Sequence, residues 1–407
     1  MKRILKFPKD FLWGVSTSAY QIEGGTTCDW SEWEKKRVKT KLFIKSGKNP
    51  NDYICGKACD SYNRYSEDLD LVKELNCGAF RLGLEWARLE PEEGFWNALE
   101  IEHYRALLKE ARKKGIKTVV TLWHWTMPLW LSNRGGWSNP SVVKSYSRYV
   151  LKIIEELGDL VDYWITLNEP LVHVFNGYLY KKFPPQKRSL KEASRVFKNL
   201  YLAHRQAYEM IHEIYPYANV SITEITNYFE PARKWNILEI LMAKTMKYLW
   251  NDRFLNKVKK HIDFIGIDYY FHDRIIFYPP FRKNHNKEIN DMGWEIFPEG
   301  IYHVLKDLKK FKLPIFIMEN GIPDETDKKR TKFIKDHLKY VHKAIEEGVN
   351  VKGYFYWSLL DNFEWAAGFG PKFGLYGVDR ETFERKGKPS SKEYSKICLE
   401  NKLEIDD

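Results

Sequence analysis

The most constraining feature of this sequence is a series of eight short apolar runs that alternate with amphipathic helical stretches. The runs are rich in β-branched and aromatic residues, and they lie at 11–15, 80–84, 117–122, 161–166, 220–223, 264–267, 314–317 and 351–356. Between them, stretches such as 101–114 and 331–347 repeat apolar residues at the spacing of a helix. Strands without a polar/apolar alternation that are separated by helices predict a parallel sheet. Eight such units favour closure into an α/β (β/α)8 barrel.

Chain length is compatible with one barrel. A length of 407 residues would be typical of two or three average domains. Single α/β barrels, however, are often much longer than the average domain. No Gly/Ser-rich linker or low-complexity tract divides the sequence, so we predict a single domain over 1–407. The stretches 20–60 and 270–294 are predicted to be long loops that build a pocket at one end of the barrel.

The charge balance is basic but mixed. The net charge is +11, which permits a nucleic acid or an anionic membrane as partner. Lysine and arginine are nevertheless interleaved with acidic residues, and no RNA-binding signature is present, so we expect a solvated surface and no nucleic-acid partner. The 30% of charged residues, many of them Lys and Glu, weakly indicate a heat-adapted source.

The five cysteines form no disulfide or zinc pattern. Their number is odd and only one Cys-x3-Cys pair occurs, which favours free thiols in a reducing compartment; the positions are Cys28, Cys55, Cys59, Cys77 and Cys398. The N-terminal segment lacks an apolar core behind its charges, and no stretch of about 18 apolar residues occurs. We therefore expect a cytoplasmic location.

The stretch 237–248 is both apolar and basic on a predicted helix. A helix that lies on a membrane surface and a helix that packs on the barrel are the two interpretations. The barrel-packing interpretation is favoured, so membrane association is not expected.

Two carboxylates stand at the ends of predicted strands. Glu169 follows the fourth run and Glu319 follows the seventh, and each has an asparagine beside it, Asn168 or Asn320. Strand ends converge at one face of a barrel, so these groups are expected to face each other across a pocket. One Glu alone would be read as a surface or salt-bridged residue. The pair predicts cleavage of a glycosidic bond, in which one carboxyl protonates the leaving oxygen and the other attacks or activates water.

These segments, with four others, resemble glycoside hydrolase family 1, the β-glucosidase and β-galactosidase family. The matching stretches occur in the family's order over nearly the whole chain, at 11–24, 81–88, 121–125, 168–170, 317–321 and 354–365. The segment 368–375 is similar to compact archaeal members. The resemblance implies a retaining exo-β-glycosidase with Glu319 as nucleophile and Glu169 as acid/base, about 5–5.5 Å apart. Arg81 matches the arginine that keeps the nucleophile ionised, and Tyr270 matches the tyrosine that donates a hydrogen bond to it.

The resemblance also implies a set of sugar-binding positions. The side chains that would hold the sugar ring or flank the aglycone are Gln21, His124, Asn168, Trp294, Trp357, Glu364 and Trp365. Taken alone, His124 would be a core histidine and the tryptophans would be core packing. Glu364 would repel a phosphate dianion, which favours unphosphorylated β-glycosides. No metal and no cofactor are expected.

One site residue departs from the family pattern. Asp268 stands where the family usually has asparagine, and an ionised Asp268 would raise the pKa values of the neighbouring carboxylates. Two alternative functions stay open at this point. A transglycosylase would pass the same intermediate to an alcohol, and an inactive sugar-binding scaffold would use the same barrel without chemistry. The sequence leaves the natural substrate and the oligomeric state open.

Overall fold

A closed barrel of eight parallel strands organises the computed structural model, which describes residues 2–406. The strands are β1 (Lys2–Lys6), β2 (Leu12–Ser16), β3 (Ala79–Gly83), β4 (Lys117–Thr121), β5 (Tyr163–Asn168), β6 (Asn219–Pro231), β7 (Ile265–Ile275), β8 (Ile315–Asn320), β9 (Val351–Trp357), β10 (Tyr376–Val378), β11 (Arg385–Gly387) and β12 (Lys402–Asp406). Strands β2 to β9 close the barrel in chain order. All eight predicted strands are therefore confirmed as barrel strands. Strands β1 and β12 pair antiparallel with each other, as do β10 and β11.

Helices follow each barrel strand. They are α1 (Ala19–Glu23), α2 (Asp29–Arg37), α3 (Lys41–Lys45), α4 (Ser61–Glu74), α5 (Trp86–Leu89), α6 (Ala98–Lys113), α7 (Leu129–Ser132), α8 (Val142–Leu157), α9 (Pro170–Tyr178), α10 (Leu190–Ile214), α11 (Ile237–Lys247), α12 (Arg253–Val258), α13 (Glu299–Leu308), α14 (Arg330–Glu346) and α15 (Pro389–Glu400). The predicted helices at 101–114 and 331–347 correspond to α6 and α14. The (β/α)8 prediction is confirmed.

The barrel interior is filled by apolar side chains. The strands are buried on both faces, which explains why they lack an alternating pattern; the inner cluster is Ala79, Val119, Ile165, Phe264, Phe316, Met318 and Phe355. This plug occupies the barrel itself. Polar side chains therefore gather at the carboxyl ends of the strands, as in other barrels.

Two long connections differ from the predicted loops. The stretch 20–60 contains α2 and α3. Trp30 and Trp33 of α2 are buried. Strands β6 and β7 continue beyond the barrel as a parallel pair that reaches Pro231 and Ile275. The prediction of a long loop over 270–294 is therefore wrong for its first residues, which belong to β7 up to Ile275.

Helix α11 packs on β6 and β7, so the prediction of a barrel-packing helix is confirmed. Its Ala243 and Met242 lie against Phe229 and Ile275, and Glu239 is also buried. Its Ile237, Leu238 and Leu241 nevertheless remain exposed. Within residues 2–406, no helix combines the length and the apolar character that crossing a bilayer requires.

Candidate active site

The site lies where β5, β7 and β8 end. The ladders between neighbouring strands shift register just before Asn168, Asp268 and Asn320. An irregularity of this kind re-aims the side chains that follow it. Glu169 adopts a left-handed backbone conformation (φ 40°) at the start of α9. After Asn320, a Cβ on Gly321 would stand 1.8 Å from the Trp357 carbonyl oxygen, so only glycine permits this approach of β8 to β9.

The two candidate catalytic carboxylates lie side by side. One oxygen each of Glu169, Asp268 and Glu319 lie within 4.8 Å of one another. A retaining glycosidase needs about 5–5.5 Å between its carboxyl groups, and an inverting one needs about 6.5–9.5 Å to admit a water. The spacing of Glu169 and Glu319 therefore fits the retaining geometry.

Glu319 is held by two donors. The Arg81 guanidinium donates to its Oε1, and the Tyr270 hydroxyl donates to its Oε2 at 3.0 Å. Burial raises the pKa of Glu319 above its ordinary value, while Arg81 and Tyr270 act in the opposite direction. Both donors were expected from the sequence, but the effect of burial on Glu319 was not. In the folded site the two donors reduce the effect of burial rather than reverse it.

Glu169 has the opposite surroundings. Its Oε1 has no hydrogen-bond partner among residues 2–406. Burial raises its pKa well above the ordinary value, and the charges of Asp268, Glu319 and Glu224 raise it further, against Arg81. The direction agrees with the prediction for Glu169. The sequence neighbours of Glu169 are not the only cause of its raised pKa, because three carboxylates from other strands contribute.

Asp268 and Glu224 add two buried carboxyl groups to this region. All four of their carboxyl oxygens lack a hydrogen-bond partner within the described residues. Burial raises the pKa of both groups well above the ordinary value, and the charge of Glu319 raises that of Asp268 further. The charge of Glu319 therefore opposes ionisation of Asp268, and the charges of both groups oppose ionisation of Glu169.

The cluster of Glu169, Asp268 and Glu319 has a spacing at which oxygen ligands could share one cation. The guanidinium of Arg81, which is fully buried, already stands against Glu319 as the counter-charge. The guanidinium group of Arg81 therefore balances part of the negative charge of this cluster.

Asn168 and His124 form a linked pair beside the carboxylates. The Asn168 Oδ1 accepts from Arg81 and from the Thr223 hydroxyl at 2.7 Å, and its Nδ2 lies 3.0 Å from His124 Nε2. Burial and the charge of Arg81 lower the pKa of His124 well below its ordinary value, so the ring is neutral. The ring then accepts at Nε2 and carries its hydrogen on Nδ1, which has no partner in the described part of the chain. A free donor of this kind suits a ligand hydroxyl better than a core role.

Gln21 and Glu364 also meet, from opposite ends of the chain. The Gln21 Nε2 donates to Glu364 Oε2 at 3.3 Å and to the Phe363 carbonyl at 2.8 Å. Burial, followed by the charge of Glu319, raises the pKa of Glu364 to about 8. Glu364 is therefore mostly protonated at neutral pH. The repulsion of phosphate that the sequence argument assigned to it applies only near and above that pH.

Aromatic rings surround these polar groups. His124 lies 5.6 Å from Trp365 and 6.2 Å from Trp357, measured between ring centroids. Trp294 lies apart from them, 4.6 Å from the ring of Phe271 and near Tyr270. The structure thus brings Trp357 and Trp365 to the His124 side and Trp294 to the β7 side.

Glu224 is the buried carboxylate that the sequence argument missed. It directly follows the predicted strand 220–223, in the same strand-end position that drew attention to Glu169 and Glu319. The signal was therefore present in the sequence. None of the matching family segments covers that strand, so the resemblance did not mark Glu224.

Comparisons with known proteins agree with this geometry. The sequence profile of Glycosyl hydrolase family 1 matches residues 4–260 and 242–403. Beta-glucosidase A of Thermotoga maritima is 34% identical over 98% of this chain and 99% of that protein. A beta-galactosidase of Pyrococcus woesei is 29% identical over 93% of this chain and 94% of that protein.

Solved structures are similar over the full length. A family 1 β-glucosidase from Thermotoga maritima has a TM-score of 0.91 at 32% identity and covers 100% of both chains. A β-glycosidase from Pyrococcus horikoshii has a TM-score of 0.89 at 36% identity, over 100% of this chain and 97% of that one.

Proposed function

The chain belongs to glycosyl hydrolase family 1 and is a glycoside hydrolase, and we propose that Glu319 is its nucleophile and Glu169 its general acid and base. The contrast between the two carboxyl groups carries this assignment. Glu319 accepts from Arg81 and Tyr270, whereas Glu169 has an unpartnered oxygen beside three other carboxylates. The first environment favours an ionised group and the second favours a protonated one.

The reaction follows from these protonation states. A carboxylate oxygen of Glu319 bonds to the anomeric carbon while Glu169 transfers its proton to the departing glycosidic oxygen. The resulting ester leaves Glu319 uncharged, so the pKa of Glu169 falls and the group becomes a base. Glu169 then removes a proton from water, whose oxygen attacks the anomeric carbon and releases Glu319. The first step takes one proton from Glu169 and the second returns one to it, and two inversions retain the β configuration.

The substrate class is an unphosphorylated β-glucoside or β-galactoside, cleaved from its non-reducing end. Relatives named beta-glucosidase and beta-galactosidase support this choice. The polar atoms that would hold the sugar come from Gln21, Glu364, Asn168 and His124, whose free Nδ1 hydrogen is available to a hydroxyl. Trp357 and Trp365 would flank the ring, and Trp294 would flank the aglycone. The relatives do not favour a transglycosylase or an inactive scaffold.

We further propose a single catalytic domain over 1–407 that works in the cytoplasm of a heat-adapted organism. All five cysteines are buried free thiols, which suits a reducing compartment. Networks of exposed ion pairs support heat adaptation, such as Glu93 with Arg134 and Arg148. Thiol titration in denaturant should find five free thiols, and a melting temperature in the mesophilic range would contradict heat adaptation.

Variants at the two carboxylates test the assignment. Glu319→Gly should abolish hydrolysis of an aryl β-glucoside, and azide should restore cleavage with a glycosyl azide of α configuration. Glu169→Ala should retain the first step only with good leaving groups, and azide should give the β product. Glu34→Gln, which changes a buried carboxyl outside the site, is the matched control. Rescue with the reversed stereochemistry would contradict the roles given to the two residues.

A further inference from the structure

Helix α11 presents several of its apolar side chains to solvent. Ile237 is 70% exposed, Leu238 is 55% exposed and Leu241 is 54% exposed. The face that packs on β6 and β7 contains Glu239, Ala243 and the half-buried Met242. An amphipathic helix of a globular protein normally buries its apolar stripe, so Ile237, Leu238 and Leu241 form a second apolar surface that the described residues leave uncovered.

The exposed residues continue across a neighbouring loop. Ten of the 22 large hydrophobic side chains that are exposed in residues 2–406 fall within 235–249 and 277–281. Phe277 lines one groove together with Leu238, Leu241 and Met246. We call this surface the α11 patch and define it by Trp235, Ile237, Leu238, Leu241, Met246 and Phe277. Apolar side chains gathered in one place mark an interaction site, whereas scattered ones do not.

The segments that carry the α11 patch are basic. The segment 233–252 contains four lysines and arginines and two acidic residues. Both acids are in ion pairs, Glu239 with Arg233 and Asp252 with Lys310, while Lys247 pairs with Asp307 and Arg282 with Asp273. The segment 282–287 adds three basic residues and no acidic one. The patch is therefore apolar at its centre and positive around it.

We propose that the α11 patch docks on an anionic lipid membrane surface. Aliphatic and aromatic side chains enter the boundary between headgroups and acyl chains, while lysine and arginine attract anionic headgroups. The Arg233 guanidinium lies 5.5 Å from the ring of Trp235 and 5.6 Å from that of Phe277, so charge and apolar surface sit together. A second copy of the chain fits less well. A twofold dimer apposes the same patch on both subunits. The lysines and arginines around the two patches would then face and repel each other.

Binding of the full-length protein to vesicles tests the proposal. The wild-type protein should co-sediment with vesicles that contain phosphatidylglycerol, bind phosphatidylcholine vesicles less, and be released by high salt. The triple variant Leu238→Ser/Leu241→Ser/Phe277→Ser should lose at least about tenfold in vesicle binding, because each buried methylene group contributes to anchoring. Its activity on a soluble aryl glycoside should equal that of the wild-type protein, since none of these residues contacts the site.

A matched triple variant controls for general loss of apolar surface. Leu42, Leu99 and Leu190 are 84%, 81% and 80% exposed and lie in other regions. The variant Leu42→Ser/Leu99→Ser/Leu190→Ser should bind anionic vesicles as the wild-type protein does. Absence of wild-type binding to these vesicles, or an equal loss in the control, would overturn the proposal. So would a wild-type dimer in gel filtration that the α11 triple variant converts to a monomer, because the occupant would then be a second copy.

Discussion

Replacing Asp268 with asparagine removes one of the three carboxylates that lie within 4.8 Å of one another. The two side chains have the same shape, so the change removes charge and leaves volume unaltered. After burial, the charge of Asp268 is the largest cause of the raised pKa of Glu169. An ionised Asp268 therefore keeps the proton on Glu169 at higher pH. Without it, Glu169 loses that proton earlier.

The distance sets the size of the effect. With an effective dielectric constant of about 20, two unit charges at the 4.8 Å limit interact by roughly 3.5 kcal/mol. One pKa unit corresponds to about 1.4 kcal/mol, and the charge of Arg81 offsets part of the interaction. We expect the pKa of Glu169 to fall by about 1 to 2 units in Asp268→Asn.

The pH dependence of kcat/KM is the assay. The reaction needs Glu169 protonated, so the basic limb should move to lower pH by this amount. The acid limb reports Glu319, whose pKa is set by burial, Arg81 and Tyr270, and it should stay in place. The control Asp307→Asn removes an equal charge from the surface and should move neither limb. An unchanged basic limb, or one that moves to higher pH, would refute the influence of Asp268 on Glu169.

Three further changes test neighbouring parts of the site. Tyr270→Phe removes a 3.0 Å hydrogen bond to the nucleophile; the acid limb should rise by about one pH unit, whereas Tyr269→Phe, whose hydroxyl binds the Phe297 carbonyl, should leave it unmoved. Glu224→Gln should lower the basic limb by less than Asp268→Asn does, because its charge is the smaller influence on Glu169; a larger shift would contradict this ranking. Dialysis against EDTA should leave kcat/KM unchanged, since Arg81 already provides the positive charge beside Glu319. Loss of activity that Mg²⁺ restores would show that the carboxylate cluster needs a metal.

The barrel could be predicted because its strands are buried on both faces. Runs such as 314–317 are apolar throughout, and their spacing along the chain reflects the helices that lie between successive strands. The extension of β6 and β7 to Pro231 and Ile275 was not predictable in the same way. Those residues mix polar and apolar side chains without a regular alternation, so their pattern resembles that of a connection.

The two catalytic candidates were visible because strand ends converge in a barrel. Their electrostatic environment was not, because it depends on side chains from other strands. Asp268 and Glu224 approach Glu169 only in the folded chain, and burial raises the pKa of Glu364 to about 8 where the sequence suggested a charged group. Local sequence gives the residue types, whereas the three-dimensional neighbours set their charges.

Helix α11 illustrates a different limit. Its periodicity correctly predicted a helix, and the apolar stripe was assigned to the barrel because most such stripes face a core. A sequence pattern does not tell which neighbour covers the stripe. In this chain Ala243 and Met242 lie against Phe229 and Ile275, whereas Ile237, Leu238 and Leu241 of the same helix remain exposed.

Trapping the covalent intermediate tests the central claim most directly. A 2-deoxy-2-fluoro β-glucoside with a good leaving group forms the ester quickly and hydrolyses it slowly, because the fluorine destabilises both transition states. Mass spectrometry of the intact protein should show one added fluorosugar per chain, and fragmentation should place it on Glu319 in the peptide that contains 315–320. An adduct on Glu169 or Asp268, or turnover without any adduct, would contradict the account.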